Sequence, residues 1–370
     1  VRPGLLYAAS ERTVYVSWND GADWQPLTMN LPTVQVSDLV VEDHDLVIGT
    51  HGRSFWVMRN IDVLRQMTPE VAAAPFWLFD PKDPTRRFDN TADVYYHLAD
   101  DAEMVNLEFL DGDGNVVASY QSPTGDEEEE AEESPFFGGG GGSSTPSNMK
   151  GANRFRWNMR TEGWTDFEGR IFWAAGNAGP AVLPGPYRVR LTVDGASQTR
   201  DFEILMNPRA AADGVTIADL QARFALAQQI RDRVSEANEA VLHMRAIKGE
   251  VDDRLGRNDS GELQSLGATV KDRLTGVESE IYQIRNRSGQ DPLNFPIKLN
   301  NKLAALLNLV EGAEERPTQQ SYTVFETLSG ELDAELEQMN LVIRQDLARL
   351  NELLRELGLD PIDTERLITE

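Results

Sequence analysis

The sequence predicts a multidomain chain, all-β in its first half and all-α in its second. Three observations predict this. Residues 1–60 alternate short apolar runs with turn residues. Residues 94–206 repeat that texture, with glycine turns between the runs. From 216 to 357 the apolar spacing lengthens to three or four residues, the period of a helix. At 370 residues the chain is also too long for one ordinary domain.

Composition narrows the partners. The chain has 35 basic and 61 acidic residues, a net charge of −26. That field repels phosphate backbones and anionic lipid, so nucleic acid is not an expected partner. Asp126 to Glu133 holds seven acids in eight positions and reads as a solvated loop. There are no cysteines, which excludes disulfides, thiolate metal sites and cysteine nucleophiles. No run of 18 apolar residues occurs, so no membrane span is expected. The first residues, Leu5 to Ala9, already read as a strand rather than a signal peptide. The natural N-terminus is therefore expected upstream.

Within 1–60 the candidate strands are Leu5–Ala9, Thr13–Trp18, Trp24–Thr28, Val36–Val41, Leu46–Gly49 and Ser54–Met58. Even spacing of short strands suits a sandwich, a barrel or a propeller. The stretch from Ser17 to Trp24 resembles the Asp-box of sialidase-like and sortilin-like β-propellers. Its physical reading is a hairpin. Ser17, Asn19, Gly21 and Trp24 are its structural residues: Asn19 and Asp20 accept turn N–H groups, Gly21 supplies a positive φ, and Trp24 packs between sheets. Asn19 and Asp23 stand where Asp and Thr are usual. On this resemblance residues 1–60 are expected to be the last blades of a propeller.

Residues 61–93 read as a linker, because Pro69, Pro75, Pro81 and Pro84 break any long helix. Residues 94–207 read as an Ig-like β-sandwich of six or seven strands. An insertion at 126–150 joins the acidic run to five glycines and Ser-Ser-Thr-Pro-Ser, a composition that predicts disorder.

Residues 216–357 read as an antiparallel four-helix bundle or a long helical hairpin. Thr216 and Asp219 have the spacing of an N-terminal capping box. A second helix carries the apolar residues from Leu263 to Ile284, a third starts near Pro296, and a fourth ends before Gly358.

Three further segments carry a family resemblance: Gly49 to Trp56, Gly151 to Arg160 and Tyr282 to Leu303. With the Asp-box, they resemble large secreted bacterial proteins with sortilin-like, BNR-repeat propellers, often labelled glycosyl hydrolases. The resemblance implies an upstream propeller as a partner, a secreted, periplasmic or cell-surface location, and a carbohydrate or protein ligand. It does not imply a reaction, and the expected role is a non-catalytic support and interaction region. The alternative is part of a glycoside hydrolase whose catalytic carboxylates lie mainly upstream.

The residues themselves name no catalytic, cofactor or metal set. His51 and Arg53 follow an inner-strand candidate and are ligand-binding candidates, since a guanidinium grips carboxylates or sugar hydroxyls. Arg154 and Arg160 share one strand face with Arg156 and Asn158, and are the second pair of candidates. Asp111, Asp113 and Asn115 open like a calcium loop, but Val116 and Ser122 occupy the positions of its glycine and bidentate glutamate. His44, His97 and His243 show no metal-ligand spacing.

Overall fold

A computed structural model describes residues 2–123 and 145–363. Most of the predicted insertion, residues 126–144, lies outside them. The chain divides into two compact units. The first is Val1–Met159 with Gly185–Leu205, and the second is Arg160–Pro184 with Met206–Glu370.

The first unit opens with β1 (Leu6–Ala9), β2 (Val14–Ser17) and β3 (Gln25–Pro26), an antiparallel sheet. A second antiparallel sheet follows, of β4 (Val36–Glu42), β5 (Asp45–Thr50) and β6 (Phe55–Met58). The two sheets share a small core of Val14, Val36, Leu46, Ile48 and Ile61. Two five-residue helices come next, α1 (Asp62–Gln66) and α2 (Pro69–Ala73). In α2, Pro69 occupies the first turn and Thr68 caps it by accepting the Val71 N–H at 3.3 Å.

The rest of this unit is two more antiparallel sheets. One has the order β11 (Gly151–Trp157), β8 (Ala92–Leu98), β7 (Phe76–Leu78). The other has the order β10 (Val116–Gln121), β9 (Val105–Leu110), β12 (Gly185–Val193), β13 (Ala196–Ile204). Strand β8 alternates strictly, burying Ala92, Val94, Tyr96 and Leu98. Between the sheets Trp157 stacks on Phe109 at 4.1 Å and meets Phe202 edge-on. The end of the predicted insertion is described: the Ser147 carbonyl accepts from the Tyr96 hydroxyl at 2.5 Å.

The second unit is helical. After α3 (Pro208–Ala212) come α4 (Ile217–Arg257), α5 (Gly261–Ile281), α6 (Leu299–Val310) and α7 (Gln319–Leu341). A wide, π-type turn at Val342–Leu347 then passes into α8 (Ala348–Glu356). The capping box forms at the start of α4: Thr216 Oγ1 accepts the Asp219 N–H at 3.2 Å, and Asp219 Oδ2 accepts the Thr216 N–H at 3.0 Å. The apolar stripes of α4 to α8 make one continuous core.

Residues 160–184 belong to this helical core although they lie between strands β11 and β12 in sequence. They form a strap without strands, and side chains of the helices satisfy its backbone. Asn238 Nδ2 donates to Thr165 O at 2.7 Å, and the Ile171 N–H donates to the Tyr282 hydroxyl at 3.1 Å. Asn301 takes both polar groups of Trp173. Trp164, Phe167 and Phe172 of the strap pack into the core.

The predicted fold class, propeller blades and an Ig-like sandwich followed by an all-α bundle, is therefore corrected. The chain is an α/β mix of small antiparallel sheets with a long helical C-terminal region. Among the described residues no sheet closes into a barrel or a propeller. The first two sheets have three strands each and face one another across a single core, and α1 and α2 stand among the strands. The strap shows why the β-then-α division fails: local period assigns a segment's conformation, whereas its apolar side chains choose the core it joins.

Candidate functional site

The first unit contains a cleft of about 680 Å³, within the range of small-ligand sites, about 300–1,000 Å³. One wall is α1 with the β4–β5 hairpin turn. In that turn Asp43 adopts a positive φ, which lets the chain reverse in two residues. Helix α1 is too short to be stable alone, and groups outside it hold its end. The Arg2 guanidinium donates to the Leu64, Arg65 and Met67 carbonyls, and Trp18 Nε1 donates to Leu64 O at 2.9 Å. Asp62 opens α1, where a carboxylate suits the helix dipole. Its Oδ1 accepts from Arg65 Nη1 at 2.6 Å and its Oδ2 meets His44 Nδ1. Arg65 also donates to the Asp43 carbonyl at 2.6 Å.

The facing wall is the loop from Asp80 to Asp89. Gln66 pins it to α1, donating to Asp80 O at 3.1 Å and accepting the Asp80 N–H at 2.7 Å. Arg200 Nε donates to Asp80 Oδ1 at 2.9 Å and stacks on Trp77. Asp83 Oδ1 accepts the Glu203 N–H at 2.7 Å. Asp89 Oδ2 accepts the Thr85 N–H at 2.7 Å, while Thr85 O accepts the N–H groups of Phe88 and Asp89. This closed turn, with Arg87 at φ +55°, holds the Phe88 ring 64% exposed at the cleft.

Four acidic and two basic side chains line the cleft, −4 against +2, a formal charge of −2 with His44 left aside. Each carboxylate has at least one oxygen committed to a backbone N–H or a guanidinium. They are thus fixed in place before any ligand arrives, which suits recognition.

Of the four ligand-binding candidates named from the sequence, His51, Arg53, Arg154 and Arg160, none lines this cleft. His51 and Arg53 lie in the exposed β5–β6 turn, where the His51 N–H donates to Gln35 O and Arg53 O accepts from Trp56 Nε1. Arg154 lies on β11, 3.9 Å from Asp93. Arg160 begins the strap, in the other unit. It donates to Glu311 Oε2 at 3.0 Å and to Gly179 O at 2.8 Å. His51 and Arg53 are neighbours; Arg154 and Arg160 each stand in other surroundings.

The residues that resemble an Asp-box, Ser17 to Trp24, form a tight hairpin turn. The Ser17 hydroxyl is buried, donates to Asn19 Oδ1 at 3.0 Å and accepts the Gly21 N–H at 2.9 Å. Asn19 Oδ1 accepts the Asp23 N–H at 2.9 Å. Gly21 has φ +86°. Trp24 differs from its expected place between sheets: it lies over Gly21 and is 41% exposed. The strand that follows, β3, is only two residues long and gives it no second sheet to pack against.

The sequence gives little warning of the cleft. His44 and Asp62 are 18 residues apart, and the loop lies in what reads as a linker. The one signal is the charged, proline-punctuated run from Asp80 to Asp89, too rigid and too polar for a plain spacer.

Among the described residues no helix is long and apolar enough to cross a membrane. Nor does any group of three or more His, Asp or Glu there suit a metal ion. No family model matches the chain, and no curated protein matches it.

Proposed function

We propose that this chain is a non-catalytic support and interaction region of a larger, exported Asp-box protein, and that the cleft beside α1 takes its glycan or protein ligand. The export and the parent protein rest on the sequence resemblance. The ligand role rests on one observation: the cleft's carboxylates are held by backbone N–H groups and guanidinium groups around a ligand-sized volume. Glycan recognition uses such planar polar groups for hydroxyls, together with an aromatic platform for a ring face. Phe88 supplies the platform.

The test is twofold. Binding of the purified chain to an array of plant and bacterial glycans is measured, together with reducing-sugar release by the chain and by its longer parent. Binding without release, abolished by Arg65→Ala, supports the proposal. Release by the chain itself overturns it in favour of a hydrolase, and binding to no glycan and no extracellular protein overturns it altogether.

A further inference from the structure

Three unlike features meet at the cleft. The first is an open cleft of about 680 Å³, room enough for a sugar ring. The second is the Phe88 ring, held in solvent by the Thr85–Asp89 turn. The third is an imbalance of charge. Asp62 is matched by Arg65, and Asp80 by Arg200. Asp83 and Asp89 are matched by no cation among the described residues. Each gives one oxygen to a backbone N–H, of Glu203 and Thr85, and keeps the other. Lys82 adds one positive charge between the prolines Pro81 and Asp83-Pro84.

A neutral glycan would satisfy the hydrogen-bonding groups but leave two fixed carboxylates desolvated against hydroxyls, at a cost in affinity. An ammonium group removes that cost, because a charge-assisted hydrogen bond is about twice as strong as a neutral one. An anionic sugar is repelled by Asp83 and Asp89, the two carboxylates that no cation among the described residues pairs with, against the single charge of Lys82. An exposed aromatic ring suits the same ligand, since it takes either the apolar face of a pyranose or a nearby cation.

Resting on the glycan reading above, we infer that the cleft is selective for amino sugars with an unsubstituted amine, the ammonium taken by Asp83 and Asp89 and the ring lying on Phe88. Lys82 and Arg65 face the ring hydroxyls.

The experiment is calorimetric titration of the whole chain with two probes of one backbone, β-1,4-linked glucosamine oligomers and their N-acetylated counterparts. Binding of the free-amine oligomer, at least about tenfold tighter than the acetylated one, is expected. Asp83→Asn and Asp89→Asn keep an oxygen for the Glu203 and Thr85 N–H groups while removing the charge. Each should weaken the free-amine oligomer about tenfold and leave the thermal midpoint in place. Asp272→Asn, an exposed acid on α5, makes the same change in net charge and should have no effect. Equal loss with Asp272→Asn would reduce the effect to the chain's overall charge and overturn the inference. Equal binding of both oligomers would overturn the amine selectivity while leaving the glycan reading intact. Binding of neither oligomer, with neutral glycans bound, has the same meaning. Binding of no glycan at all would remove both.

Discussion

Asn301 grips Trp173 by both of its backbone polar groups: its Oδ1 accepts the Trp173 N–H at 2.7 Å and its Nδ2 donates to the Trp173 carbonyl at 3.0 Å. A side-chain amide here does the work of a neighbouring β-strand, one residue wide. Two other amides do the same. Gln66 clasps Asp80 at the cleft, and Asn351 clasps Ile362 beyond α8, at 3.0 and 2.8 Å. In each case an extended segment that has no strand partner is satisfied by one residue on a helix or in its last turn.

Asn301 is buried, but Trp173 is 42% exposed, so water takes up part of what Asn301 supplies. Asn301→Ala strands one donor and one acceptor, each worth about 1–3 kcal/mol when buried and unmet. The expected outcome is a loss of about 1–2 kcal/mol in urea denaturation, with faster proteolysis within the strap 160–184. Unchanged stability would mean the strap is held by its aromatic side chains alone.

Two glycines of α5 make a matched test of packing against propensity. A methyl added at Gly276 meets nothing within 4 Å, so Gly276→Ala should gain up to about 1 kcal/mol from lower chain entropy. A methyl at Gly267 would lie 2.7 Å from a Leu255 methyl carbon and 3.1 Å from its Cγ. Overpacking there costs about 1–3 kcal/mol, enough to cancel the same gain or reverse it. Thermal midpoints should rise for Gly276→Ala and stay level or fall for Gly267→Ala.

The carboxyl of Asp219 is held down to about 2, first by the Thr216 hydroxyl, then by Arg316 and the Thr216 N–H. Its unfolded value is about 3.9. A depressed folded value means that its contribution is complete above about pH 4 and is lost as pH falls towards 2. Below pH 4 the start of α4 should therefore fray. Protection from hydrogen exchange at residues 217–221, taken relative to the intrinsic rate at each pH, should fall in the wild type over that window, and in Asp219→Asn it should already be low at neutral pH.

In the turn from Ser17 to Asp23, Ser17 is fully buried and serves two partners with one hydroxyl. Ser17→Ala leaves the Gly21 N–H and Asn19 Oδ1 without it, at a cost of about 1–2 kcal/mol. Asn19→Asp restores a stronger acceptor for the Asp23 N–H, but sets a second carboxylate beside that of Asp23, which now receives Asn19 Nδ2 at 2.9 Å. It should therefore destabilise unless Asp23 is changed to Thr as well. Thermal denaturation of the three variants separates these effects.

Much of the local structure was written in short-range pattern. The alternation of Ala92 to Leu98 marks β8, Thr216 with Asp219 marks the start of α4, and Ser17 to Asp23 marks a hydrogen-bonded turn, because each depends on residues within one or two turns of one another. What only the tertiary structure decided depends on pairs far apart in the chain. The cleft needs His44 beside Asp62, Gln66 on Asp80, and Asp83 on Glu203, at separations up to 120 residues. The small number of strands in each sheet, and the absence of a closed ring among the described residues, likewise follow from which edges meet. The strap at 160–184 makes the same point. Its extended, aromatic-rich sequence suits a sheet, but Trp164, Phe167 and Phe172 gain more by entering the large helical core. There Asn238, Tyr282 and Asn301 supply the hydrogen bonds that a neighbouring strand would have given.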